Sequence, residues 1–330
     1  MDSVQDNKAK KISIKNFSVF KEVETGFSNG LNVFIGENGT GKTIMLKLLD
    51  MYGTVTGSFE KEHWYRMYWV MLENAFARTD VDDLSQATIE INDTVVYDIS
   101  VVDRKYAHFV NIKKDSVFIP SKEMLSLSDI TRIHEKYKQE FKIDKTLTAI
   151  IQQASFLRPD EIPDLVKSIT PKLEKIIGGT VYINPSDSSF WINKANGKQI
   201  PFFLEAEGFR KLGLLWQLLM NKVIHENTIL LWDEPETNMN PAIIPVVADI
   251  LLELARLGLQ IFIATHDYIL AKYIEVRAKE SDNVMFHSFY LTAGGVKIEN
   301  NLNFKDLKKN PIISSYEILM DEVIEGNLGD

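Results

Sequence analysis

The octapeptide Gly36-Glu37-Asn38-Gly39-Thr40-Gly41-Lys42-Thr43 constrains the chain more than any other stretch. It runs glycine, four residues, glycine, lysine and a hydroxyl residue, the spacing of a phosphate-binding loop. Glycines let backbone N–H groups close around phosphate oxygens, because no Cβ stands in the way. Lys42 adds a point charge for β- and γ-phosphates, and the Thr43 hydroxyl is a ligand for Mg²⁺. The flanks agree with this reading. Leu31-Asn32-Val33-Phe34-Ile35 has the apolar run of a buried strand, and Ile44-Met45-Leu46-Lys47-Leu48-Leu49 has the pattern of an amphipathic helix. The helix start contributes the positive end of its dipole.

Other apolar runs supply the rest of a parallel core. Thr228-Ile229-Leu230-Leu231-Trp232 is a short, wholly apolar strand, Ala242 to Arg256 reads as a helix after Pro241, and Leu259 to Ala264 is a second buried strand. Strand–helix–strand order predicts a parallel sheet. Elsewhere the period is two. Lys11 to Phe17 and Val19 to Thr25 read as an antiparallel pair, followed by short strands at Ala87–Ile91, Val95–Val101, Tyr106–Ile112 and Ser116–Ile119. Glu60 to Phe76 reads as helical, with Trp64, Tyr65, Tyr68 and Trp69 as core aromatics. Residues from about Lys122 to Ile177 read as mainly helical, and Thr180–Ile183, Ser189–Ile192 and Gln199–Phe203 as strands. A helix from Glu205 to about Lys222, a hairpin around Ala293-Gly294 and a terminal amphipathic helix from Ile312 to Ile324, expected to dock on the body, complete the chain. The expected fold class is α/β, a P-loop fold with a mixed, mainly parallel core sheet, an antiparallel β-subdomain and a helical insert. The expected parts are residues 1–121, 122–203 and 204–330.

Composition narrows the function classes. The 330 residues are 45% hydrophobic and 25% charged, with no cysteine, so disulfides and thiolate metal sites are excluded. No apolar run reaches the roughly 18–20 residues of a membrane span, and the N-terminus lacks the order of a signal peptide. A cytoplasmic protein without a membrane partner is expected. The net charge of −9 does not support DNA as a partner, although a local basic patch could still hold it.

Asp233-Glu234 directly follows an apolar strand, where ligands of open α/β sheets sit. A carboxylate there can hold Mg²⁺, and its neighbour can take a proton from an attacking water. Two acids at a strand end can also form a capping turn; the upstream phosphate loop and Pro235-Glu236 favour the catalytic reading. His266 closes the next strand, where an imidazole can donate to a γ-phosphate or position water. The alternative is a capping or core histidine. His63, His108, His134, His225 and His287 have no comparable placement.

Four blocks in order carry a resemblance: Ile14-Lys15-Asn16-Phe17; Gly36 to Thr43; Leu230 to Glu236 with Asn240-Pro241; and Ala264-Thr265-His266-Asp267. The chain resembles an ABC-type ATPase head of the SMC, RecF and OLD branch. The resemblance implies ATP and Mg²⁺ as cofactors. Gly36, Glu37, Asn38, Gly39, Thr40, Gly41, Lys42 and Thr43 would hold the nucleotide, joined by Gly208 and Asn240. Thr43 and Asp233 would serve the metal, and Glu234, His266 and Lys42 the hydrolysis of ATP to ADP and phosphate. Thr237 to Asn240 matches the segment such heads place at a dimer interface, and Phe17 and Phe20 are candidates for contact near the adenine or ribose. The resemblance further implies a homodimer or higher oligomer through nucleotide-sandwiching faces. A separate effector protein, a nuclease, toxin or similar, would act with it in prokaryotic anti-phage defence or DNA maintenance.

The sequence departs from the family pattern at two places. Glu205-Ala206-Glu207-Gly208-Phe209-Arg210-Lys211 stands where the signature serine and glycine are expected, and it has no serine. Arg210 or Lys211 could replace the serine, while Glu207 would repel a phosphate. No glutamine-loop residue follows Phe118-Ile119-Pro120-Ser121. These departures leave a nucleotide-gated scaffold with negligible turnover as the alternative function, and they count against a transporter ATPase subunit.

Overall fold

The computed structural model describes residues 8–54, 87–98, 115–128, 145–159, 161 and 166–328. The helix expected over 60–76, the strand expected over 106–112, and His63, His108 and His134 lie outside these residues.

The chain opens with strands β1 (Lys11–Phe17) and β2 (Phe20–Gly26), antiparallel as expected. Strand β3 (Leu31–Gly36) then enters the core and runs into helix α1 (Lys42–Thr54). Strands β4 (Thr88–Ile91) and β5 (Thr94–Asp98) extend the first pair into an antiparallel sheet of order β2-β1-β4-β5. Strand β6 (Asp115–Ile119) returns to the core.

Helices α2 (Lys145–Ala154) and α3 (Thr170–Ile177) follow, then a three-stranded antiparallel sheet of β7 (Gly179–Ile183), β8 (Phe190–Lys194) and β9 (Gln199–Pro201). In the segment expected to be mainly helical, the described residues include these two helices and a 3-10 turn at Leu125–Leu127; residues 129–144, 160 and 162–165 of that segment lie outside the described residues.

Helix α4 (Glu207–Met220) leads to β10 (Thr228–Asp233), α5 (Ile244–Arg256), β11 (Gln260–Thr265) and α6 (Tyr268–Arg277). The last elements are the hairpin β12 (Met285–Thr292) and β13 (Gly295–Asn301), and helix α7 (Pro311–Leu328).

The core sheet has the order β13-β12-β3-β11-β10-β6, with β12, β3, β11, β10 and β6 parallel and β13 antiparallel at one edge. Its central strands β3, β10 and β11 are buried on both faces, which explains their apolar runs. Alternate side chains serve opposite layers. Leu230, Trp232, Ile261 and Ile263 face the layer of α4 and α5. Ile229, Leu231, Phe262 and Phe34 face α1 and the first antiparallel sheet. Every one of these residues is at most 1% exposed. Truncating one as large as Trp232 costs about 3–5 kcal/mol.

This topology positions the site. Strand β3 lies between β11 and β12, the strand order changes direction around it, and the carboxyl ends of β3, β10 and β11 open on one rim. Helix α7 corrects an expectation. Ile312 and Ile313 pack on the core and Tyr316 stacks on Tyr268 at 4.2 Å, so the helix docks through its first turns only. Leu319, Met320, Val323 and Ile324 farther along are about half exposed. Among the described residues, no helix is long and apolar enough to cross a membrane.

Candidate functional site: a phosphate loop and the ends of three strands

The loop between β3 and α1 has its fold dictated from below. Gly41 has φ +89°, and a Cβ there would meet Phe20 at 2.5 Å and Val19 at 2.7 Å. Only glycine fits this approach. Phe20 is fully buried and lies under the loop at Gly41, Phe17 is 1% exposed, and neither presents a face to a base or ribose. The turn of β1 and β2 therefore shapes the phosphate loop, which corrects the assignment of these two rings.

Glu37, Asn38 and Gly39 form the exposed lip, while Thr40 is buried and donates its hydroxyl to Glu37 O at 2.8 Å. The Lys42 side chain curls over the loop and Nζ donates to Gly36 O and Glu37 O at 2.7 and 2.8 Å. Burial lowers the pKa of Lys42, and the charges of Asp233, Glu234, Glu236 and Glu37 oppose that shift.

The end of β10 brings the acids to this loop. Thr43 Oγ1 donates to Asp233 Oδ2 at 3.0 Å. Asp233 is pushed up to about 6, chiefly by burial; the Thr43 hydrogen bond works against the shift and the nearby charge of Glu234 adds to it. One residue on, Glu234 has φ +47°, uncommon for a residue with a side chain. Its N–H still bonds Ala264 O at 2.8 Å, so the turn is hooked onto β11. Its carboxylate is held at both oxygens, Oε1 lying 3.3 Å from His266 Nδ1 and Oε2 accepting from Thr237 Oγ1 at 3.1 Å. His266 is about half exposed, so the Glu234–His266 pair faces the open rim.

Below this pair, Glu236 is buried. Oε1 meets Thr265 Oγ1 at 2.5 Å and Oε2 has no hydrogen-bond partner. Burial pushes Glu236 up to about 7 against that hydrogen bond.

The start of α4 differs from expectation. Lys211 is 1% exposed, and its Nζ donates to Glu234 O at 3.0 Å. Arg210 bonds Phe203 O and Glu205 O and places Nε 3.1 Å from Glu123 Oε2, whose side chain is fully buried. Neither cation is available to replace a signature serine, because both are spent inside their own chain. Glu205 ion-pairs with Lys194. Gly208 is buried against the loop after β10; a Cβ there would come within 2.9 Å of Asn238 O. Asn240 is exposed and caps Ala242 N–H with Oδ1 at 2.9 Å.

Glu123 is the residue the sequence pattern missed. It lies four residues beyond β6, where a glutamine-loop residue was sought, and it also accepts the N–H groups of Leu125 and Ser126. An acid directly before the apolar pair Met124-Leu125 is the signal that could have found it. His287, left as structural, is fully buried between Asn32 and Asn300 at 3.1 and 2.9 Å, with its pKa lowered to about 3 by burial. His225 pairs with Asp115 at 3.0 Å, far from the loop in the strand order.

A phosphate loop on the central strand, two acids at the end of the next strand but one, and a histidine on the strand between define the class: an ABC-type ATPase head of the SMC-like branch. The profile of the family described as "AAA domain, putative AbiEii toxin, Type IV TA system" matches residues 72–271, more than half of the chain. The chain belongs to that family. The matched span includes Glu123, α4, Asp233, Glu234 and His266 and begins after the phosphate loop.

Among solved structures, an SMC head bound to the C-terminal winged-helix domain of ScpA is similar at 15% identity. That match covers 91% of this chain and 99% of the other, with a TM-score of 0.51. The SMC head domain from Thermotoga maritima has 14% identity over 89% and 99% of the two chains, with a TM-score of 0.47. An Smc head with an extended coiled coil, bound to a ScpA domain from Pyrococcus furiosus, has 13% identity over 96% and 99%, with a TM-score of 0.48. At such identities the likeness is one of fold. No curated protein is similar enough in sequence to match.

Proposed function

We propose that this chain binds Mg-ATP at the Gly36–Thr43 loop and hydrolyses it to ADP and phosphate. The observation that carries the reading is the meeting of Thr43 with Asp233, and of Glu234 with His266, on the rim of β3, β10 and β11. The loop N–H groups and Lys42 bind the β- and γ-phosphates, exchanging the Lys42 contacts to Gly36 and Glu37 for phosphate oxygens. Thr43 and Asp233 offer only oxygen donors, one of them a buried carboxylate, which fits a hard divalent cation. When bound, Mg²⁺ supplies charge neutralisation at the phosphate oxygens. Glu234 accepts the proton of a water whose oxygen attacks the γ-phosphorus. The bond from that phosphorus to the β–γ bridging oxygen breaks, and ADP leaves. His266 and Thr237 hold the Glu234 carboxylate in place, and with Nδ1–H directed at Glu234 the His266 Nε2 donates to a γ-phosphate oxygen as the imidazolium.

The test compares phosphate release by wild type and Glu234→Gln. The variant is expected to keep ATP binding and to lose about 100-fold or more in release. Equal release from both proteins would end the hydrolytic reading.

One observation favours a second reading, a nucleotide-gated scaffold with negligible turnover. The first turn of α4 carries Glu207 and no serine, and Arg210 and Lys211 point inward. Both readings place the nucleotide between two copies of the head, with Gly208 and the segment Thr237 to Asn240 at the shared face. Sizing Glu234→Gln with and without Mg-ATP tests this; an unchanged size would remove the dimer. A cytoplasmic head of this class acts through a separate effector, a nuclease, toxin or similar protein, in prokaryotic anti-phage defence or DNA maintenance. The family's toxin–antitoxin description supports that assignment, and the net charge of −9 disfavours DNA as a direct ligand. Phage plating on cells carrying the gene and its neighbours, with wild type or Lys42→Ala, checks it: protection lost with Lys42→Ala is the expected result.

A further inference from the structure

We propose that Lys211 is a positioning residue that fixes the backbone of Glu234, and with it the Glu234–His266 pair, to helix α4. The inference rests on the reading of Glu234 as the base, and adds a residue to which neither the motif nor the family pattern gives a role.

The geometry is specific. Glu234 sits in the left-handed region at φ +47°, a strained conformation for a side-chain-bearing residue that persists only where its surroundings hold it. Its N–H is held by Ala264 O on β11. The turn removes its carbonyl from the strand ladder, and that carbonyl accepts from Thr237 N–H at 3.2 Å within the turn and from Lys211 Nζ at 3.0 Å across to α4. Glu234 is thus gripped on one side by the sheet and on the other by α4. The side chain that emerges between these two grips carries the contacts to His266 and Thr237.

The negative charge of Glu236, whose Oε2 is buried without a hydrogen-bond partner, acts on the Lys211 ammonium together with those of Glu207, Glu234 and Asp233. Glu236 in turn meets Thr265, the residue before His266. A single buried cation therefore touches the turn after β10 directly and feels the charge of the acid that reaches the end of β11.

Stability gives no reason for such a cation. An ammonium in this place is desolvated, and replacing a buried ionic group by an apolar chain of similar volume is often neutral or stabilising. What the lysine supplies and a methionine cannot is a second donor to Glu234 O, the one that comes from α4 and not from the turn itself. It also ties that carbonyl to the correct helix. Gly208, one turn earlier on α4, lies against Asn238 and Met239 of the same loop.

The test uses the full chain carrying Lys211→Met or Lys211→Arg. In steady-state hydrolysis, Lys211→Met is expected to lower kcat about 10- to 100-fold with KM for ATP within about twofold and no loss of Tm. Lys211→Arg, which keeps a donor, recovers part of the rate. In a Glu234→Gln background, Lys211→Met causes no further loss. Wild-type kcat in Lys211→Met overturns the proposal, and so does a fall in rate that only parallels falls in Tm and ATP affinity.

If wild type itself releases no phosphate, the hydrolytic reading fails on its own terms. The proposal is then decided by the ¹H–¹³C shifts of the His266 ring in nucleotide-free protein. These are expected to move in Lys211→Met and to stay near wild type in Lys211→Arg; unmoved shifts in Lys211→Met overturn it.

Discussion

The two sides of the site are built on opposite principles. On the phosphate-loop side, polar groups at the ends of β3, β10 and β11 gather at one rim, and each is fixed by a neighbour there. Thr43 meets Asp233, and Glu234 meets His266 and Thr237. On the α4 side, the charged groups point inward. Arg210 pairs with buried Glu123, and Lys211 lies under Glu234. The first side presents its chemistry to a ligand. The second uses its charges to fasten a helix start to the ends of β6 and β10, which are adjacent in the sheet. A charged residue near a helix N-terminus is therefore no guide to what that terminus binds.

Lys42→Ala tests the contrast most severely. It removes the cation of the phosphate-loop side, and ATP affinity is expected to fall about a hundredfold or more, as for other lost charge contacts to a buried partner. Titration with a fluorescent ATP analogue reads the loss. Tm without nucleotide should stay near wild type, because the Lys42 contacts are to two carbonyls of its own loop. A variant that binds ATP normally would mean that the loop alone, without its lysine, does the work.

Arg210→Ala should give the reverse profile. It leaves Glu123 buried without its cation, and stability is expected to fall by about 3 kcal/mol, read by denaturant unfolding. ATP affinity should change little. Adding Glu123→Leu should recover only part of the stability, since removing both partners avoids the orphaned charge but leaves the Leu125 and Ser126 N–H groups without their acceptor. If Arg210→Ala instead weakened ATP binding at unchanged stability, the inward assignment would be wrong.

These contrasts also separate what could be read from the chain alone. The phosphate loop, the parallel order of the core and the Asp233-Glu234 turn are local patterns, set by glycine spacing and by apolar runs that end in acids. The parallel pairing of β3, β11 and β10 follows from runs such as Leu230 to Trp232, buried on both faces. The direction of Arg210 and Lys211 is tertiary information. Both are cations on the first turns of a helix, and only the packed positions of Glu123 and Glu234 decide where each one goes. Phe20 misled for a similar reason: an aromatic beside a phosphate loop can stack on a base or support the loop, and the contact with Gly41 selects support. Helix α7 shows the converse limit, because its apolar stripe extends beyond the surface it packs on.

Glu236 lies between the two sides and is sensitive to pH. Its pKa rises from 4.5 in an unfolded chain to about 7 when folded, chiefly through burial. For a raised carboxyl, the favourable contribution is fully present below the unfolded pKa and is lost as pH rises through the folded one. Glu236→Gln should therefore gain stability over wild type across pH 4.5 to 7 and level off above it. The full shift corresponds to at most about 3 kcal/mol, so a gain of about 2 kcal/mol in the plateau is expected. Thermal unfolding of both proteins at several pH values measures it. A difference that does not change with pH would mean that Lys211 keeps Glu236 ionised throughout.

The smallest expected effect bears most directly on whether the α4 side reaches a nucleotide at all. Glu207 is the first residue of α4 and the only acid in its first turn. At that place a carboxylate suits its own helix dipole by a few tenths of a kcal/mol and would repel a phosphate approaching the same N–H groups. Glu207→Ser removes the repulsion and supplies the hydroxyl that the family pattern places before the glycine. The substitution gives up little stability, so an intact fold is expected. If α4 of one copy faces the γ-phosphate held by another, turnover should rise about fivefold, the equivalent of roughly 1 kcal/mol. The rise should depend on protein concentration, because the effect is exerted across copies. A rise that is independent of concentration would place Glu207 on its own chain's nucleotide. No rise would leave the inward-facing cations as the whole role of the α4 start, and would favour the scaffold over the hydrolase.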